Sequence, residues 1–204
     1  MRTDQQALDR RRRRRRRRIQ IIVLYTLIAI GLAWFFESQA TTTIIFVRHA
    51  EKAETGGDDP QLSEAGQQRV VELTRQLLDV DVIAGIDAVY STPYQRTQQT
   101  AQPIADELDL AVITYPAIDP EDTDATEEFL DDVLREHKGQ IVLIVGHSNT
   151  VPAMIAGLGG HKDVPVIAED EYDNIYILAI PWFGKTKTIR MRFGEPYVPA
   201  VAQD

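Results

Sequence analysis

The sequence predicts an α/β protein: a three-layer α/β/α sandwich around a mainly parallel sheet, preceded by one N-terminal transmembrane helix. Three observations lead there. Between residues 43 and 193, short apolar runs alternate with amphipathic segments, the pattern of strands joined by crossover helices on both faces of a sheet. Two of those runs, 43–47 and 140–145, are apolar almost throughout, as strands buried on both faces are. Ahead of them, residues 19–36 carry no charge; as a helix they would extend about 27 Å, close to the roughly 30 Å hydrocarbon core of a bilayer.

The N-terminal segment 1–18 holds ten Arg and two Asp, a charge of +8, while the rest of the chain has 12 basic and 29 acidic residues, or −17. Such asymmetry marks a localisation device. Arg residues stay on the cytoplasmic side of a membrane span, and Trp34, Phe35 and Phe36 at its far end suit the headgroup level. The expected order is therefore a cytoplasmic Arg-rich segment (1–18), a span (19–36), a polar linker (37–42) and a catalytic domain (43–204). The domain is expected outside the cytoplasm, in the periplasm if the source is bacterial. Ser38-Gln39-Ala40 resembles a signal-peptide cleavage site, but the apolar run exceeds the roughly 7 to 15 residues of a signal h-region, so retention is expected. The Arg tract also suits anionic lipid headgroups; beside a span this explains it better than nucleic acid, and no nucleic-acid partner is expected.

Within the domain, 44% apolar and 26% charged composition overall is that of an ordinary folded chain. With no Cys, disulfides, thiolate metal sites and Cys nucleophiles are excluded. The first strand, 43–47, stops abruptly at Arg48-His49. After a loop at 56–60, Ser63 begins a helix with Val70, Val71, Leu73, Leu77 and Leu78 along one face. A short strand, 88–90, leads through Ser91-Thr92-Pro93 into a helix over 94–108. A strand at 111–115 and an acidic loop at 116–122 precede a helix capped by Asp124, with Glu127 three residues on. The clearest strand, 140–145, stops at Gly146-His147 and enters a helix through Met154, Ile155 and Leu158. Segments 174–180 and 188–193 close the sheet.

Parallel strands present their C-terminal ends on one edge, where ligands bind. That edge collects Arg48 and His49 from the first strand, Arg96 beyond the second and His147 after the fourth. Two Arg and two His make a cationic site suited to phosphate, whose oxygens Arg binds bidentately. Ser148 and Asn149 start the following helix and are read as its N-caps, with phosphate contact as a second role. Arg69 reads as surface, His137 as a cation at a helix C-terminus, and His161, in a Gly-rich loop, as a further candidate for substrate contact. No His-x-x-x-His or carboxylate cluster offers a metal-ligand pattern.

Taken in order, Arg48-His49-Ala50, Leu62-Ser63-Glu64-Ala65-Gly66-Gln67, Ser91-Thr92-Pro93-Tyr94-Gln95-Arg96-Thr97 and Val145-Gly146-His147-Ser148 resemble the motifs of the histidine phosphatase superfamily, the phosphoglycerate mutase-like branch 1 group. Ala50 stands where that family has Gly. The resemblance implies a metal-independent, cofactor-free phosphatase acting on phosphomonoesters or phosphohistidine. His49 would attack phosphorus and hold a transient phosphohistidine; Arg48, Arg96 and His147 would stabilise the equatorial oxygens, and Ser148 and Asn149 would join them in binding substrate. The Gly-x-Trp-Glu-Gly segment of the mutases is absent. In its place Glu121 is the expected general acid, with Asp119 and Glu51 as competitors. A catalytically silent phosphate-binding scaffold and a phosphomutase are the alternative functions.

Overall fold

The computed structural model describes residues 2–38, 41–79, 85–161 and 163–194. The chain divides into two units, Met1–Ala40 and Thr41–Asp204. In the first, a single helix α1 (Arg2–Ser38) runs without a break from the Arg tract through the apolar segment. Arg is a good helix former, so no structural boundary falls at residue 18. Its portion Arg12–Phe35 is long and apolar enough to cross a membrane. The polar Thr26 donates its hydroxyl to the Ile22 carbonyl at 3.0 Å, satisfying itself within the helix as a span in lipid requires. Gln39 and Ala40, and with them the cleavage reading, lie outside the described residues.

The second unit carries strands β1 (Thr41–Arg48), β2 (Ala88–Ser91), β3 (Val112–Thr114), β4 (Ile141–Gly146), β5 (Asn174–Pro181) and β6 (Lys187–Arg192). They form one sheet in the order β3-β2-β4-β1-β5-β6. The first four run parallel, and β5 and β6 pair antiparallel at the other side. Helices α2 (Glu64–Leu78), α3 (Gln95–Glu107), α4 (Thr123–Glu136) and α5 (Thr150–Gly157) make the outer layers. Thr41 and Thr42 are already paired with Pro181 and Ile180, so the strand begins inside the expected linker.

The alternation of β1 explains the layers. Ile44 and Phe46 face one core with Leu130 and Val133 of α4 and Val151, Met154 and Ile155 of α5. Ile45 and Val47 face the other with Leu73 of α2 and Ala101, Ile104 and Ala105 of α3. All but Ile45 of these strand residues are fully buried, which is why the strand reads as a continuous apolar run.

Helix starts follow local chemistry. Ser63 caps α2, its hydroxyl accepting the Gly66 N–H at 3.0 Å. Gly66 is required there for space: a Cβ would fall 2.2 Å from the Glu51 carbonyl oxygen. That close approach clamps the segment after His49 onto α2. The expected cap of α4 is corrected by two residues: Asp122, not Asp124, accepts the Ala125 N–H at 3.0 Å, because the helix already begins at Thr123. α3 has no cap of its own; Asp59 from the 56–60 loop accepts the Gln95 N–H at 2.9 Å instead.

Candidate active site

The ends of β1, β2 and β4 deliver their polar residues to one pocket of about 380 Å³. Arg48, His49, Arg96, His147, Ser148 and Asn149 all line it, so the sequence-predicted phosphate groups converge. The register makes this unavoidable: Arg48 lies opposite Gly146, and the His49 N–H donates to the Gly146 carbonyl at 3.0 Å, setting His147 beside His49. Their rings meet edge-on with centroids 5.3 Å apart.

His49 is 4% exposed. Its Nδ1 lies 2.8 Å from the Ala50 carbonyl oxygen, which can only accept, so Nδ1 carries the proton and Nε2 keeps a free lone pair. Burial, then the positive charges of Arg48 and Arg96 and the neighbouring His147 ring, lower its pKa from 6.5 to about 3, against the pull of the Ala50 carbonyl. His147 falls to about 4 through burial and the two arginines. Both rings are therefore neutral at physiological pH. Ala50, in the family's Gly position, is 2% exposed, and its N–H donates to Thr100 Oγ1 at 3.1 Å.

The cations are held from behind. One Arg48 Nη donates to the carbonyls of Ala168 and Glu171 at 2.7 and 3.0 Å, and the guanidinium lies 4.1 Å from the Tyr172 ring centroid. Its Nε is buried with no protein partner, a donor suited to an anion's oxygen. Burial lowers the Arg48 pKa. Arg96 stacks over Tyr94 at 4.4 Å and stands 3.7 Å from Asp59, while Tyr94 packs edge-on against His147. Thr92 Oγ1 lies 3.1 Å from His147 Nε2 and 2.7 Å from Thr97 Oγ1. Since Thr97 donates onward to the Thr92 and Tyr94 carbonyls, Thr92 donates to Thr97 and accepts from His147.

Other expectations are corrected. The acidic loop reaches the pocket with Ala117 and Ile118, while Glu121 and Asp119 are not in its lining; the Glu121 N–H instead donates to Asp119 Oδ1 at 2.9 Å. Glu51 is turned away, accepting from Arg69 Nε at 2.6 Å in a separate cleft with Ala65 and Glu72. Arg69 is thereby half-buried rather than a surface residue. Asn149 holds the N-cap position of α5 but makes no side-chain cap hydrogen bond; the Thr150 hydroxyl instead accepts the His147 N–H at 3.1 Å. His161 lines a different cleft with residues 184–189. His137 Nε2 meets the Tyr90 hydroxyl at 2.9 Å.

Lys52, Tyr94, Glu169 and Tyr172 also line the pocket. Glu169 is the one carboxylate in the lining among the described residues. It comes from the loop before β5, too far along the chain for any motif spacing to flag it.

The depressed His49 has a measurable consequence. Between pH 6.5 and about 3 the unfolded chain binds this proton and the folded chain does not, so its contribution is full above pH 6.5 and declines as pH falls through that window. In detergent, thermal unfolding midpoints of the parent should fall more steeply from pH 6.5 to 4 than those of His49→Gln. Parallel curves would show that His49 titrates as an ordinary histidine.

The model of the histidine phosphatase superfamily (branch 1) matches residues 44–120. Solved structures share the fold. The protein histidine phosphatase SixA, complexed with tungstate, is 20% identical with a TM-score of 0.59, over 74% of this chain and 96% of that one. A phosphoserine phosphatase from Entamoeba histolytica, in complex with phosphoserine, is 17% identical with a TM-score of 0.54, over 74% and 96%. A phosphoglycerate mutase from Plasmodium falciparum is 17% identical with a TM-score of 0.55, over 79% and 98%. No curated protein sequence matches. Residues 44–120 thus resemble branch 1 of the histidine phosphatase superfamily, and the domain has the fold of these solved phosphatases and of the mutase.

Proposed function

We propose that this protein is a phosphatase, held to a membrane by α1, that moves phosphate from a phosphomonoester or phosphohistidine to His49 and then to water, without a metal ion. The observation that carries the proposal is the state of His49: neutral, fixed through Nδ1 to the Ala50 carbonyl, and set among Arg48, Arg96 and His147. Its Nε2 attacks phosphorus in line as the bond to the leaving oxygen or nitrogen breaks. Arg48, Arg96 and His147 hold the three equatorial oxygens, where charge concentrates in a loose transition state. His147 takes up a proton as the dianion binds, because a nearby opposite charge favours the charged ring. Ser148 and Asn149 add polar contacts from the start of α5.

Glu169 is assigned the leaving-group proton in place of Glu121. After the leaving group departs, the same carboxylate takes a proton from water as that water attacks the phosphohistidine, releasing inorganic phosphate and neutral His49. The complexes of the similar proteins with phosphoserine and tungstate support a small phosphorylated group as the substrate's reacting end. The Arg tract supports a cytoplasmic N-terminus with the domain on the other side of the membrane.

The test is turnover of a chromogenic aryl phosphate by the full chain in detergent with a chelator present, quenched in mid-reaction. The expected result is chelator-insensitive turnover and a chain-bound phosphate that is stable to alkali and labile to acid. Binding of inorganic phosphate without turnover would instead identify an anchored phosphate-binding scaffold.

A further inference from the structure

Trp182 and Phe183 stand in the turn between β5 and β6 with 51% and 90% of their surfaces exposed, although large aromatic side chains are ordinarily buried by a fold. Their position is defined by the sheet. Thr41, the first residue of β1, pairs with Pro181, the last of β5, and the Thr43 N–H donates to the Gln140 carbonyl just before β4. The turn and the starts of β1 and β4 therefore share the sheet edge opposite the His49 pocket. The Lys138 ammonium lies 5.5 Å from the Trp182 ring centroid; Lys185 follows in the same turn, and Lys187 begins β6. Three of the chain's five lysines thus collect here, in a sequence whose charge beyond the Arg tract is strongly negative.

We infer that the Trp182-Phe183 turn is a lipid contact, its rings seated in the headgroup region of the bilayer and Lys138, Lys185 and Lys187 on lipid phosphates. Aromatic rings with an apolar body favour that depth, and lysines there gain from the phosphate charge. The inference rests on the anchor reading given under Proposed function. It also orients the enzyme. β1 runs its eight residues from this edge to Arg48, a distance of about 25 Å, so the pocket opens away from the bilayer toward substrates in the aqueous phase.

The chain has two tryptophans, Trp34 and Trp182, so Trp34→Phe leaves Trp182 as the sole indole. This full-chain variant is incorporated into phosphatidylcholine vesicles containing phosphatidylglycerol and floated on a density gradient. Lipids spin-labelled near the headgroup should quench Trp182 emission by about half or more, and labels deep in the acyl chains should quench it less. Adding Phe183→Asp should remove most of the shallow quenching and leave aryl phosphate turnover unchanged. Failure to float would overturn the anchor reading and this inference together. Flotation with Trp182 unquenched, or quenching untouched by Phe183→Asp, would overturn the lipid contact alone and leave the anchor in place.

Discussion

His49→Ala is expected to lower turnover of an aryl phosphate by about 10³-fold or more, because it removes the atom that bonds to phosphorus rather than a group that assists it. Binding of inorganic phosphate, followed by calorimetry, should survive within about tenfold, since Arg48, Arg96 and His147 remain on their own elements to pair with it. The two readouts separate chemistry from capture. The fold should persist, because the buried space left behind opens on a polar pocket that water can fill. Turnover within tenfold of the parent would remove His49 from the nucleophile's role, and joint loss of turnover and phosphate binding would show that the ring's main work is to shape the pocket.

Glu169→Gln should lower turnover of an alkyl phosphate by about 10²-fold or more while changing that of a good aryl leaving group by no more than about threefold. The physical basis is the stability of the departing oxyanion: a nitrophenolate leaves without a proton, whereas an alkoxide does not. Glu121→Gln should change neither rate, since Glu121 is exposed and outside the pocket lining. The reverse pattern, with Glu121→Gln selective against the alkyl substrate and Glu169→Gln silent, would return the acid to the loop before α4. Equal losses on both substrates with Glu169→Gln would indicate that this carboxylate works through Arg48, whose charge it faces, rather than on the leaving group.

These two predictions come from opposite ends of what could be read in advance. The strands were legible because Ile44, Phe46, Val142 and Ile144 on one face, and Ile45, Val47, Leu143 and Val145 on the other, leave no polar residue to interrupt the run. His49 and His147 were legible because each ends such a run, and parallel pairing places both ends together. Cap positions were read less well. Asp122 and Asp124 carry the same side chain two residues apart, and only the loop's path decides which one meets a free N–H. Glu51, two residues after His49, was a fair candidate by adjacency, but it lies beyond the end of β1, and Arg69 captures it from α2.

By itself, then, the sequence determined the α/β class, the apolar helix ahead of it, and the four strand-end residues that meet at the pocket, all of them properties of periodicity and of where apolar runs stop. Tertiary structure alone decided which carboxylate faces those residues, that both histidines are neutral, and that Trp182 and Phe183 stand uncovered at the opposite edge. Each of these depends on groups distant along the chain. Glu169 joins the pocket because the loop before β5 folds back over Arg48, which donates to the Ala168 and Glu171 carbonyls. Glu171 is itself held by Arg190 and Arg192 of β6. Burial and through-space charge set the protonation of His49 and His147, and neither quantity exists until the sheet has brought its strand ends together.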